Sequence, residues 1–330
     1  MQVYGVWHCS SDACLWANVR SAAEFDSQNH WIVDRGNGQP SVNIVVLSFV
    51  NPLRLLNQTN DAGNVNGVPR GMTPEIISYF TSRGIRVMLS IGGITYTRDW
   101  DTALATNATL LGQRAAALAT QLNVGIEIDY EQNRDPNLVG LQAFINAYRA
   151  VHPYDASGAN PRARLTIDLA AGDRWLIDIG RKATVDWLRT NAPVLDYANA
   201  MVPAKQPSAS SATSNWQEHV DGKPQFSPPV PPLAPAKFTG GLYLAGNNRI
   251  RPECGDYANS LQKATAPYVQ TVAPNGAGTT AGMLGFMFWA AEAPSTRGLT
   301  TQPPNTCEGG MGAAATALSV PVPMPALRQT

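Results

Sequence analysis

Three acids stand at alternate positions near the middle of the chain: Glu127, Asp129 and Glu131. Val124, Ile126, Ile128 and Tyr130 fill the places between and before them. An extended strand turns every second side chain to one face, so the three carboxyls share a side and the apolar set shares the other. The same alternation occurs on strands that turn their acids to water. Here the segment lies among repeated strand–helix units, where a parallel strand is covered on both faces. Carboxyls enclosed together repel one another and lose hydration, so at least one should hold its proton near neutral pH. A protonated carboxyl beside an ionised one is the equipment for acid-assisted cleavage of a glycosidic bond.

Eight strand-like segments can position such a group: 3–8, 43–51, 86–93, 123–131, 164–171, 197–203, 238–245 and 283–290. Most are rich in Val, Ile, Leu, Phe or Met and end near Gly, Pro or Asn. Helical patterns fill most intervals. Thr73 before Pro74 and Glu75 marks a capped start, and Gly84 a stop. Leu111, Ala115, Leu118 and Leu122 form an apolar stripe leading into the acidic segment. Asp135-Pro136 opens another helix, and 175–188 and 257–269 supply two more. The Ser- and Pro-rich interval 205–237 reads as a long surface loop with at most a short helix around 216–220. Residues 319–330 read as a disordered Pro-rich tail. Eight β units joined largely by helices predict an α/β fold, a single-domain (β/α)8 TIM barrel over residues 1–318. Chemistry in that fold sits at the C-terminal ends of the strands, which is where Glu131 falls.

Composition narrows the partners. The 330 residues are 44% hydrophobic and 15% charged, with 24 Lys+Arg against 24 Asp+Glu. That balance offers no basic surplus for nucleic acid or an anionic membrane, and suits a neutral, polar substrate. No apolar run approaches a membrane-spanning length. The chain opens directly into a strand-like segment, without the leader pattern of a secretion signal. Cys9 and Cys14 fall in one loop, and Cys254 and Cys307 in two consecutive late loops, so bridges Cys9–Cys14 and Cys254–Cys307 are expected, with an extracytoplasmic, secreted home. His8, His30, His152 and His219 are scattered without metal-ligand spacing, so neither metal nor cofactor is expected. The chain is expected to work as a monomer.

The segment 125–131, Gly-Ile-Glu-Ile-Asp-Tyr-Glu, resembles the DGxDxDxE signature of family 18 glycoside hydrolases, the chitinase family. Ser90-Ile91-Gly92-Gly93 is similar to that family's third-strand SxGG motif, and Gly285 to Trp289 to its eighth strand, which ends in a Trp under the sugar. The resemblance implies a retaining hydrolase of β-1,4-linked N-acetylglucosamine polymers, chitin or its oligosaccharides. It implies Glu131 as general acid and later base, and Asp129 as the carboxylate that orients the substrate's acetamido group. Glu127 would share a proton and field with Asp129. The acetamide oxygen then attacks the anomeric carbon and forms an oxazolinium intermediate, so no carboxylate nucleophile is needed.

The sequence also departs from the family. Val124 stands where the motif begins with an acid, and Glu127 replaces an Asp. The sixth strand carries Met201-Val202-Pro203-Ala204 in place of Met-x-Tyr-Asp, so the Tyr that would hold the acetamide oxygen is missing. Asn199 and Tyr243 are candidates to replace it. Trp289 is expected to stack on a sugar face. Met201, Trp7, Ser90 and Gly92 complete the expected substrate contacts, with Trp100 and Trp216 as possible extensions of the cleft. Asp168 also faces the barrel by alternation; it would share a proton with the strand-four acids, hold a cation, or serve as a structural hydrogen-bonded group. Two other readings stand beside the hydrolase: a weak or silent chitin-binding lectin or inhibitor on the same barrel, and an endo-β-N-acetylglucosaminidase acting on N-glycans.

Overall fold

The computed structural model describes residues 2–11, 21–34, 38–40, 42–170, 176–201, 209–243, 263–276, 282–289 and 291. Its strands are β1 (Val3–Cys9), β2 (Ile44–Val50), β3 (Arg86–Gly92), β4 (Gly125–Asp129), β5 (Leu165–Leu169), β6 (Ala198–Ala200), β7 (Phe238–Tyr243) and β8 (Gly285–Trp289). They close into one barrel in chain order, with every pairing parallel, including β1 to β8. All eight strand segments read from the sequence are present. Parallel neighbours require crossovers, and the helices supply them: α1 (Ala22–Val33), α2 (Pro52–Asn57), α3 (Pro74–Thr81), α4 (Thr97–Leu122), α5 (Leu138–Val151), α6 (Ile177–Lys182), α7 (Ala209–Asp221) and α8 (Lys263–Thr271).

Local chemistry sets the helix ends. The Thr73 hydroxyl accepts the Ile76 N–H, and Pro74 occupies the first turn of α3, where its missing donor costs nothing. The α5 helix opens at Leu138, capped by the Asn137 side chain on Gly140 N–H at 2.8 Å, two residues past the expected Asp135-Pro136 start. The loop reading of 205–237 needs correction. Residues Ala209–Asp221 form the 13-residue helix α7. Its Ser-rich start hides the pattern, but Ala212, Trp216 and Val220 recur every four residues and are fully buried. The tail 319–330, Trp175 and residues 257–262 of the expected late helix lie outside the described residues.

Strand alternation splits the core in two. Outward residues, among them Ile126, Ile128, Tyr130, Phe286 and Phe288, pack under the helices. Inward residues Val3, Trp7, Ile44, Val46, Met88, Tyr197, Leu284 and Met287 fill the barrel, with Trp289 against them. The barrel floor is cationic. Arg86 and Arg164 both donate to the Gly158 carbonyl, at 3.0 and 3.3 Å, and Lys237 donates to the Asp196 carbonyl at 3.2 Å. Burial and the nearby Arg164 lower Arg86 to about 10.

Helix α7 docks through Trp216, whose ring lies where a Cβ on Gly240 would come within 2.7 Å of it. Gly240→Ala is therefore expected to push Trp216 out of its seat and cost about 1–3 kcal/mol. A denaturation midpoint lowered at unchanged m-value checks this.

Candidate functional site

The alternation in β4 builds the site as expected. Glu127 is fully buried and Asp129 is 5% exposed, both inside the barrel. Glu131 lies just beyond the strand and is only partly covered. Register places Ser90 opposite Glu127, and Gly92 opposite Asp129. Glu127 receives two neutral donors. The Trp7 indole N–H reaches Oε1 at 2.9 Å, and the Asn199 amide reaches Oε2 at 2.7 Å. Asn199 in turn accepts the Thr239 hydroxyl at 2.7 Å, which fixes the orientation of its amide.

Asp168 from β5 is 3% exposed and hydrogen-bonded to Glu127. Two carboxyls can share such a bond only with a proton between them, so of the three places considered for Asp168 the geometry supports the shared proton. Burial raises Glu127, while Trp7, Asp168, Ser90 and Asn199 oppose that rise. Burial, then the charges of Glu127 and Asp129, push Asp168 well up. Glu127 is thus the acid best equipped to stay ionised, and Asp168 the one that holds the proton. Burial and repulsion from Glu131 and Glu127 also push Asp129 well above the carboxylate range. Glu131 is raised from 4.5 to about 7 by burial, against the opposing hydrogen bond from the Ile94 backbone. A carboxyl that titrates near neutrality at the mouth of an acid stack can both give and take a proton.

The other expected residues divide. Trp289 is half-buried at the end of β8, with its ring centroid 5.6 Å from that of Phe49. Phe49 was not singled out in the sequence; an aromatic at the C-terminal end of the second strand is the signal that could have found it. Trp7 is buried and serves Glu127, so it does not extend a cleft. Asn199 likewise serves Glu127 and Thr239, which takes it from the acetamide-holding place expected of it. Gly92 is a close-packing position: a Cβ there would lie 1.9 Å from the Asp129 carbonyl, and its φ is +122°. Ser90 is fully buried beside Glu127. Met201 packs against the outer core. Trp100 and Trp216 are fully buried and extend no cleft. The Tyr243 side chain, Val202, Pro203 and Ala204 lie outside the described residues. Cys9 ends β1, and no free cysteine occurs among the described residues. Cys14, Cys254 and Cys307 lie outside them. Among the described residues no cluster of His, Cys, Asp and Glu is arranged to hold a metal, and no helix is long and apolar enough to cross a membrane.

Solved structures share this barrel. The chain is similar to a family 18 chitinase from Pseudoalteromonas aurantia, at 14% identity and TM-score 0.58, over 95% of this chain and 99% of that one. A chitinase from Bacillus thuringiensis matches at 11% identity and TM-score 0.53, over 97% and 70%. A chitinase-like agglutinin from Robinia pseudoacacia matches at 12% identity and TM-score 0.50, over 84% and 94%. No family model matches the sequence, and no curated protein does. At such identities the likeness is one of fold.

The raised acid also sets a stability profile. A carboxyl whose folded value lies above its unfolded one keeps its proton longer in the folded state. Its contribution is full below about 4.5 and is lost as pH rises through about 7. Glu131→Gln should remove that part of the slope, worth on the order of 3 kcal/mol across the window. Thermal melts of both proteins between pH 4 and 8 check it: the variant should gain on the wild type as pH rises.

Proposed function

We propose that this chain is a family 18 glycoside hydrolase that cleaves β-1,4-linked N-acetylglucosamine polymers with retention, using the substrate's own acetamide as nucleophile. The observation that carries the reading is Glu131: a carboxyl held to about 7 at the open end of a buried acid stack, at the C-terminal end of the fourth barrel strand. The shared fold with chitinase barrels supports it.

In this reading the Glu131 O–H gives its proton to the bridging oxygen as the glycosidic bond breaks. The acetamide oxygen closes on the anomeric carbon to form the oxazolinium ion. Asp129 accepts the acetamide N–H, its own proton passing down to Glu127, and its charge offsets the cationic ring. Glu131, now ionised, takes a proton from water, whose oxygen opens the ring with net retention. Trp289 and Phe49 form the apolar wall on which a sugar face rests.

A second reading is sugar binding without cleavage. The absent sixth-strand Tyr favours it, since Asn199 is committed elsewhere. The agglutinin with this fold supports it. Turnover on chitin oligosaccharides of several lengths separates the two. The hydrolase reading expects cleavage that falls as pH rises through about 7 and drops about 10²–10⁴-fold in Glu131→Gln. Binding without cleavage by the wild type would leave the lectin, and cleavage surviving in Glu131→Gln would remove Glu131 as the acid. Products from glycoprotein N-glycans would instead mark an endo-β-N-acetylglucosaminidase.

We infer further that the protein is monomeric and secreted, with bridges Cys9–Cys14 and Cys254–Cys307, and that residues 319–330 form a tail outside the barrel domain. Non-reducing peptide mapping should recover both linked pairs. Alkylation of native cysteines would count against the bridges.

A further inference from the structure

Glu131 stands two residues beyond the last ladder pair of its strand, Gly92 with Asp129. Sheet hydrogen bonds therefore do not fix its direction. Its neighbours are anchored by α4 instead. The Trp100 indole N–H lies between two main-chain carbonyls, 3.1 Å from Asp129 and 3.3 Å from Ile91. The next residue, Asp101, takes one donor on each carboxylate oxygen. The Tyr130 hydroxyl bonds to Oδ1, and the Gln132 amide reaches Oδ2 at 2.7 Å. Tyr130 and Gln132 are the residues immediately before and after Glu131. The Tyr130 oxygen also accepts the N–H of Asn137 at 3.0 Å, which ties the same point to the cap of α5.

We infer that Asp101 is a positioning residue for Glu131, setting the direction in which the Glu131 carboxyl leaves the strand by holding the side chains on both sides of it. This rests on the reading of Glu131 as the acid. The two bonds are charge-assisted, so they resist rotation of the segment better than neutral ones would. Ile94, which opens the short 3-10 turn before α4, bonds this carboxyl through its backbone N–H. Loss of Asp101 would leave the carboxyl on that contact, and an error of about 1 Å at a proton donor can cost about 10²-fold in rate. Among the described residues, Asp129 is the charged group set against Glu131; Glu127 and Asp168 lie deeper in the stack behind Asp129, and Asp101 and Asp135 bear on the adjacent Tyr130.

The test compares Asp101→Ala and Asp101→Asn with the wild type in two ways. One is turnover on chitin oligosaccharides. The other is the carboxyl titration of Glu131 by 13C NMR, assigned by loss of its signal in Glu131→Gln. Asp101→Ala should lower kcat about 10–100-fold with KM within about two-fold, because the acid is misaimed while the sugar wall is intact. Its Glu131 titration should fall from about 7 toward 4.5 as the freed carboxyl reaches water. Asp101→Asn still accepts the Tyr130 hydroxyl and should recover most of both. Wild-type kcat and titration in Asp101→Ala would overturn the proposal. If the wild type turns nothing over, the titration decides alone: a fall in Asp101→Ala keeps Asp101 as positioning residue while the hydrolase reading fails, and an unmoved value removes both. Should Asp101→Ala not fold, Tyr130→Phe and Gln132→Ala each remove one anchor. Both are expected to shift the titration in the same direction by less, and no shift in either overturns the proposal.

Discussion

Enclosed negative charge is the constraint around which this barrel is built. A carboxylate inside a protein loses the water that stabilised it, and only donors placed at its oxygens can make up the difference. Glu127 finds an indole from β1, an amide from β6 and a protonated partner from β5. None of these comes from its own strand. They converge because the sheet closes, so closure of the barrel is what assembles the donors that oppose the cost of burying Glu127. Thr239 on β7 extends the same logic one step further, orienting the amide that orients the acid.

Depth then sorts the acids into different tasks. Asp129 and Asp168 are buried against other carboxyls and are driven toward the neutral form. Glu131 sits higher, beyond the end of the hydrogen-bonded ladder, and feels burial in weaker measure. Its titration falls in the neutral range for that reason. The price of this position is freedom of movement, and the helix that follows β3 restrains it by gripping neighbouring residues. Gly92 makes that grip possible, since any side chain there would displace the Asp129 carbonyl and the Trp100 indole packed against it.

Much of this was legible in the sequence, because the relevant signals are local. The alternation at 124–131 is a two-residue period within one strand, and the eight apolar runs each announce themselves. Inward Met287 and outward Phe286 follow from the same period. What stayed hidden was partnership across the chain. Trp7 read as a cleft aromatic because its bond to Glu127 spans 120 residues, and Asn199 read as a sugar contact because its bond spans 72. Asp101 drew no notice, since an acid early in a helix is ordinary and only the fold brings it to residues 130 and 132. Helix α7 was read only as a short helix around 216–220 for a different reason: three buried residues in 13 give too thin an apolar stripe to stand out among Ser and other polar residues.

The cationic floor has a consequence for how the two ends of the barrel differ. Arg86, Arg164 and Lys237 lie at the end opposite the acids, and Tyr197 between them feels Arg164 and Glu127 at once. Among the described residues, Asp196 shares that end, its carboxylate paired with Arg149 at 3.2 Å. The foot of the barrel thus carries ionic anchorage, its charges held on backbone carbonyls and on Asp196, while the acid stack occupies the other end.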